Sequence, residues 1–381
     1  MKISQKPNLS FTAHAKELQS AISKVQSITQ FVDCLDTERK HALIVADGKA
    51  YVAGITPDAF ACLQIADSMA DAEGSLVFDP QTVNGLIKGR DVLSVEGSKA
   101  QVTFSAVKGK YTAKTELALF DDADMVRVKS VFEAPKAKKL KNAVINAIRA
   151  GIKAAELTNF YSDEVILAFV KVGEKGVTIE CADNFHISCY QDKTPSDAKF
   201  RFAIPAKTFG LIDKFIGDED AQFSLDGSQL RVHGKGFTVS LPETQADESY
   251  FDLVPQYLKA LTEPKTKIKF KTEALKTVDN MFAIITEDTK MAFSVGKKGV
   301  EIRMTTRSGE VSDEFKAAVD GEKRTAHIDP RILNDLLKKA KGDEIPMEFY
   351  VGKKGTSSCF KIISKQSDTA RLTQIGTFYD E

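Results

Sequence analysis

The chain has 381 residues, of which 53 are basic, 53 acidic and 43% apolar. That length suits two or three ordinary domains, the apolar content excludes a long disordered tail, and the charge balance excludes a protein that grips phosphates over its whole surface. Cysteines at 34, 62, 181, 189 and 359 form no CxxC pair, so reduced thiols in a cytoplasmic protein are expected; no run approaches the ~18 apolar residues of a membrane span, and the first residues carry no export-signal core.

In chain order, "LSFTA" with Phe11 reads as a short strand and "KELQSAISKV" as an amphipathic helix, with Leu18, Ala21, Ile22 and Val25 on one face. A hairpin follows at "DGKAYVAGI", where Gly48 suits a turn of positive φ. "VFDPQTVNGLIKG", from Val77 to Gly89, predicts a second helix. Asp79 can cap it, and Pro80 fits a first turn that needs no N–H there. "VLSVEGSKAQVTF" from Val92 reads as a further hairpin, and "FDDAD" from Phe120 to Asp124 as a solvated acidic loop.

The same order then repeats. Phe132 precedes "KLKNAVINAIRAGIKAAEL", with Leu140, Ala143, Val144, Ala147 and Ile148 at helical spacing. "EKGVTIECAD" turns at Gly176, "FAIPAKTFGLIDK" runs from Phe202 to Lys214 without an acid at the cap, "GDED" from Gly217 to Asp220 reads as a second solvated loop, and "AQFSLDGSQLRVHG" makes the late hairpin. In the last third Phe270 precedes "EALKTVDNMF", with Leu275, Val278 and Phe282 on one face. "KKGVEIRMTT" turns at Gly299, "HIDPRILNDLLKK" runs from His327 to Lys339 with Asp329 as cap, and strands follow from Pro346.

Pro80, Pro205 and Pro330 lie 125 residues apart, as do Leu86, Leu211 and Leu336. One match would carry little; three at a constant interval point to a repeated domain. The expected domains are 1–127, 128–262 and 263–381, each with two helices packed on antiparallel sheets, an α+β class whose open sheet edges can meet a neighbour.

This repeat, together with "CADNFHI" from Cys181 to Ile187, resembles the DNA sliding clamp, the three-domain β subunit of bacterial DNA polymerase III, in a divergent and bacteriophage-like form. The family's segment at that place reads A-T-D-G-H-R-L. The resemblance implies a half-ring of three clamp domains that closes by head-to-tail dimerisation around duplex DNA. The implied role is a replication processivity factor that tethers the polymerase and is loaded by an ATP-dependent clamp loader, without cofactor, metal or enzymatic activity. The chain has no GxxxxGK[ST] phosphate loop of its own.

Polar helix faces rich in lysine, arginine and amides fit a surface that passes phosphates. Arg331, Asn334 and Lys338 share one, Gln81, Asn84 and Lys88 another, and Asn142, Asn146, Arg149 and Lys153 a third. The DNA-facing cations expected are Lys16, Lys24 and Lys88 in the first third. Lys138, Lys141, Arg149, Lys153, Lys207 and Lys214 follow in the second, and Lys276, Arg331 and Lys338 in the last. In the second helix of the middle third, Ala206, Phe209 and Asp213 take the corresponding places. The resemblance also implies a partner-peptide pocket at Ala182, Asn184, Phe185, His186 and Ile187, with Leu372 and Phe378 as contacts from the tail. The family's M-P-M-R-L end is replaced by "RLTQIGTFYDE".

Two other readings compete. A clamp-like decoy or scaffold without DNA tethering is compatible with the neutral middle helix. A hydrolase could draw on Asp183, His186 and Cys189, but a period-two strand would put Asp183 and His186 on opposite faces, and no HExxH or GxSxG accompanies them.

Overall fold

The computed structural model describes residues 8–98, 101–106, 109–114, 122–130, 136–226, 228–244, 253–261, 263–274, 280–286, 289–352 and 357–380. Two compact units emerge, one of residues 1–142 with 207–243 and the other of 143–206 with 244–381.

The first unit opens with β1 (Leu9–His14), α1 (Ala15–Thr29), β2 (Lys40–Ala46), β3 (Lys49–Ile55), β4 (Phe60–Gln64), β5 (Met69–Ala72), β6 (Gly74–Val77) and α2 (Pro80–Ile87). It continues with β7 (Val92–Ser98), β8 (Gln101–Ala106), β9 (Gly109–Lys114), α3 (Asp122–Ser130) and β10 (Lys139–Leu140). Next in the chain come α4 (Asn142–Ala155), β11 (Leu167–Gly173), β12 (Gly176–Ala182), β13 (His186–Asp192) and β14 (Phe200–Pro205) of the second unit. The chain then returns to the first with α5 (Ala206–Ile216), β15 (Ala221–Asp226), β16 (Gln229–Gly234) and β17 (Phe237–Pro242).

Every predicted apolar position of α1 is buried, with Leu18, Ile22 and Val25 wholly so. Two antiparallel sheets form in this unit, β5-β1-β7-β8-β9 and β10-β15-β16-β17-β4-β3-β2-β6. The β4–β17 ladder, from Phe60↔Ser240 to Leu63↔Phe237, joins strands of the first and second sequence repeats. The compact units therefore follow the ladders, which cross the repeat boundaries.

The rest of the second unit comprises α6 (Leu253–Ala260), β18 (Thr266–Lys271), β19 (Lys290–Val295), β20 (Gly299–Thr306), β21 (Gly309–Lys316), β22 (Ala318–Gly321) and β23 (Arg324–Ile328). It ends with α7 (Pro330–Lys339), β24 (Glu344–Tyr350), β25 (Ser358–Lys365) and β26 (Ala370–Asp380). Its sheet runs β14-β11-β12-β13-β26-β23-β19-β20-β21, with β18, β22, β24 and β25 branching from it. The long β26 is the junction, pairing with β13, β25 and the end of β23.

Local signals mostly act as expected. The Asp79 carboxylate accepts from the Thr82 N–H at 2.7 Å and Asp329 from the Arg331 N–H at 2.8 Å, satisfying helix donors that have no partner inside the helix. Gly48 and Gly176 take φ of 72° and 118°. Gly299 does not adopt positive φ; glycine is needed there because a Cβ would lie 2.4 Å from the Phe315 carbonyl oxygen across the ladder.

Other expectations are corrected. Leu140 belongs to β10 and Ala143 is exposed, because the Asp220 carboxylate accepts from the Asn142 N–H at 2.8 Å and starts α4 there. "GDED" thus supplies a cap as well as a solvated loop. Likewise the described part of "FDDAD", from Asp122 to Asp124, belongs to α3, where Asp124 is buried and pairs with Lys40 at 2.5 Å, and Phe120 and Asp121 lie outside the described residues. Phe132, Leu275, Lys276 and Val278 lie outside the described residues.

Candidate nucleic-acid interface and partner surface

The helices α1, α2, α4, α5 and α7, which open each repeat or follow its proline strand, each bury one apolar stripe, which fixes the face they turn to solvent. The exposed positions are Lys16, Ser20 and Ser23 on α1, and Gln81, Thr82 and Gly85 on α2. On α4 they are Ala143, Asn146, Ala150 and Lys153, on α5 Lys207, Gly210 and Lys214, and on α7 Lys338. None is acidic, although the chain carries as many acids as bases. The acids of these helices, Glu17, Asp213 and Asp335, are all partly buried. Small, amide and cationic side chains let a polyanion approach the helix surface without like-charge repulsion.

Most of the predicted cations sit on these faces or at their ends. Lys88 ends α2, and Lys138 and Lys141 flank the short strand before α4; all three are exposed. Lys24 and Arg149 are half-buried, and the Arg149 guanidinium donates to Asn146 at 2.7 Å. The middle repeat is less neutral than the matched sequence positions suggested. Phe209 is buried while Lys207 and Lys214 are exposed, so the outward face of α5 lies one residue away from the face aligned by sequence.

Arg331 differs from the rest. Its guanidinium meets both oxygens of Asp329, at 3.2 and 2.7 Å, and lies 5.5 Å and 5.1 Å from the ring centres of Phe160 and Tyr161. The Tyr161 hydroxyl donates to Asp329 at 2.5 Å. Burial raises the Asp329 carboxyl, but Arg331, Tyr161 and the backbone outweigh it and hold it below the usual carboxylate range. Arg331 is thus half of a charge pair, and it offers a phosphate far less than a lysine on an acid-free face.

The turn between β12 and β13 carries the predicted pocket segment. Asp183 lies in the turn and not in a strand, so the alternation argument fails. Its carboxylate accepts from the N–H groups of Phe185 and His186 at 2.7 and 2.8 Å and sits 2.7 Å from His186 Nδ1. Burial raises this carboxyl, but His186 and the Phe185 N–H outweigh it and keep it low. His186 Nε2 faces Asp335 of α7 at 3.9 Å, and the Phe160 ring stacks near the imidazole. Cys189 points to the other side of β13, where burial first and then Glu180 push its thiol up to about 12. Asp183 and His186 therefore form a pair with no thiolate nucleophile beside it. Among the described residues, no three histidine, cysteine, aspartate or glutamate side chains converge as metal ligands.

Strand alternation divides the predicted pocket. Ile187 and Ala182 join Cys189, Ile375, Tyr350 and Cys359 in a cluster roofed by Val254, Tyr257, Leu258 and Leu261. Phe185 instead packs on Tyr161 at 4.1 Å, Asn184 is exposed, and His186 is buried against α7. Leu372 and Phe378 lie on the opposite face of β26 from Ile375, and Phe378 packs on Phe349 at 5.7 Å. They finish a core and do not reach the α6 cluster. The sequence reading missed α6, whose signal was present: Val254, Tyr257, Leu258 and Leu261 recur at helical spacing, and Pro255 in the first turn is tolerated there.

No protein-family model matches the sequence, and no curated protein does. Solved structures do match across the chain. The β subunit of DNA polymerase from Streptococcus pyogenes is 13% identical, with a TM-score of 0.78 over 98% of this chain and 100% of that one. The DNA polymerase sliding clamp of Bacillus subtilis is 16% identical at 0.76, over 98% and 99%. The DNA polymerase III β subunit of Thermotoga maritima is 14% identical at 0.73, over 97% and 99%. Over nearly its whole length the chain has the α+β fold of the DNA polymerase sliding clamps.

Proposed function

We propose that this chain is a DNA polymerase processivity factor, a sliding clamp that encircles duplex DNA and tethers the replicative polymerase. The observation that carries this reading is the set of helix faces whose exposed positions hold lysine, amides and small residues and no acid. The likeness to proteins described as polymerase clamps supplies the topology in which such faces would line a hole. A closed ring does not need tight binding. Lysine contacts to phosphate are sequence-independent and exchange readily, so the ring slides while its closure prevents escape.

In this reading the chain comprises three clamp domains, 1–127, 128–262 and 263–381, and two copies close head to tail into a ring of six. Both edges needed for closure are terminal strands, β9 and β21. The β9 sequence, GKYTAK, has two lysines and no acid. The almost fully exposed β21 carries Glu310, Asp313 and Glu314. Among the described residues no strand pairs with their outer edges, and strands of opposite charge are matched for ladder formation between copies.

Polymerase and an ATP-dependent loader would dock on the partly exposed apolar surface of Ala182, Tyr257, Leu258 and Leu261 beside the β12–β13 turn. The chain itself would perform no covalent chemistry and would act in the cytoplasm. The lysines exposed on α5 count against a clamp-shaped decoy. The deciding experiment is retention on a nicked circular plasmid during gel filtration, with and without linearisation. Retention that is lost when the plasmid is cut supports encirclement; equal retention on both forms, or none on either, overturns it.

A further inference from the structure

Two equivalent hairpins, in the second and third repeats, share a motif that neither the helix faces nor the α6 surface uses. "VGEKGV" from Val172 to Val177 spans the turn from β11 to β12, and "VGKKGV" from Val295 to Val300 the turn from β19 to β20. Turn chemistry explains only half of the glycines. Gly176 takes positive φ, and a Cβ at Gly299 would strike the Phe315 carbonyl. Gly173 and Gly296 have neither reason, since their φ is not positive. A Cβ would meet nothing within 4 Å at Gly173, and at Gly296 only the Gly299 carbonyl oxygen, at 3.7 Å. A strand glycine that serves no turn and no close backbone marks a place where a ligand can approach the chain.

In the third repeat these glycines floor a hollow of about 740 Å³ on one face of the sheet. Across β23, β19, β20 and β21, Thr325, Ser294, Glu301 and Glu314 form one row of ladder partners. Two residues along each strand, on the same side, stand Lys323, Gly296, Gly299 and Lys316. There the Gly296 N–H donates to the Gly299 carbonyl at 2.9 Å, and Gly299 pairs with Lys316. Bare backbone is thus flanked by a lysine at each end, three strand spacings, ~14 Å, apart, and Lys298 of the turn also lines the hollow. All three lysines are exposed, and among the described residues their ammonium groups form no ion pair. Arg324 lines the hollow but is already engaged, 3.9 Å from Glu322 and 5.9 Å from the Phe378 ring centre. Of the two carboxylates in the lining, Glu301 is held by Arg303 at 3.0 Å, and Glu314 stands opposite it. The second repeat has an equivalent hollow of about 570 Å³ over Gly173 and Gly176. Its turn carries Glu174 where the third repeat has Lys297, and Lys199 and Lys171 lie 3.4 and 3.7 Å from Glu174 and Glu180.

We propose that the hollow over Gly296 and Gly299 binds a polyphosphate group. Lys298, Lys316 and Lys323 would surround the phosphates, and the bare glycine backbone would let them settle onto the sheet. Each ammonium is a point charge with three donors and no preferred plane. Three of them, on the turn, at the end of β21 and just before β23, suit an anion with several charges and many acceptor oxygens. An inorganic polyphosphate and a nucleoside triphosphate both carry such a group. The site uses the face of β21 and not its outer edge, so it stands or falls independently of ring closure and DNA encirclement.

The test is isothermal titration of the full chain with sodium tripolyphosphate, ATP and citrate. Saturable binding of tripolyphosphate is expected, with citrate at least tenfold weaker. Lys316→Gln/Lys323→Gln should weaken binding at least tenfold, and Lys316→Arg should largely keep it. Gly296→Val retains every charge but fills the hollow, so it too should weaken binding at least tenfold; circular dichroism verifies that the variants fold. ATP binding with the same dependence on Gly296 supports the proposal and assigns a nucleoside triphosphate, whereas tripolyphosphate binding without ATP supports it and assigns an inorganic chain. Absence of saturable binding, citrate binding of equal strength, or binding that survives either Lys316→Gln/Lys323→Gln or Gly296→Val would overturn the proposal. So would displacement of tripolyphosphate by a 20-base-pair duplex with the same dependence on Gly296, which would assign the hollow to a nucleic-acid backbone.

Discussion

His41 links acid stability to the helices that carry the basic faces. It lies on β2, 8% exposed, with Nε2 2.9 Å from the Thr29 hydroxyl at the end of α1, and Asp79, which caps α2, acts on it electrostatically. Burial lowers its pKa from 6.5 to about 4, only partly opposed by Asp79. A lowered histidine pKa means that the unfolded chain takes up the proton first as the pH falls. The stability contributed by keeping His41 neutral is complete above pH 6.5 and is lost as the pH drops toward 4. The loss is ~2 kcal/mol by pH 5 and approaches ~3.4 kcal/mol below pH 4. His41→Gln removes the titration and keeps a polar group. Urea unfolding followed through amide exchange in β2 and β3 should show the stability difference between wild type and variant narrowing by ~2 kcal/mol from pH 7 to pH 5. A difference independent of pH over that range would refute the argument, because it would mean that the imidazole is hydrated or charged in the folded chain.

The other predictions concern the helix faces, the sheet edges and a cap. Lys16→Glu, Lys153→Glu and Lys338→Glu together should lower the salt dependence of DNA retention, each lost phosphate contact removing ~0.9 from the slope of log K against log salt; an unchanged slope would remove these helices from the interface. Glu310→Lys with Glu314→Lys on β21 should convert a dimer to monomers in analytical ultracentrifugation while leaving circular dichroism unchanged, and a dimer that persists would place the closing edge elsewhere. Asp79→Ala should cost ~1 kcal/mol through loss of the cap on Thr82, measured as a lower urea midpoint.

Much of this fold is readable because the repeat supplies three copies of each signal. The spacing of Pro80, Pro205 and Pro330, the caps at Asp79 and Asp329, and the apolar stripe of α1 are local statements, and local physics decides them. What the sequence hid depends on distant partners. Nothing near Leu140 announces that Asp220 will start α4 two residues later, and nothing near Asp124 announces the Lys40 that draws it inside. The DNA-facing pattern was readable as composition but not as orientation: Arg331 fits the basic pattern as a letter, and its pairing with Asp329 between two aromatic rings appears only in three dimensions.

The divided pocket shows where alternation helps and where it misleads. Period two correctly places Ile187 and Cys189 together, and it would have placed Ile375 with them and Leu372 and Phe378 away, had the β13–β26 register been known. Register is a property of two strands separated here by nearly half the chain, so it cannot be read from either. Asp183 is the converse case. Its strand ends one residue earlier, at Ala182, and the turn folds the carboxylate back onto His186. A one-residue error in a strand end thus turns a pair at hydrogen-bond distance into two groups on opposite faces. In a fold built from ladders, the ends and registers of strands decide which side chains meet.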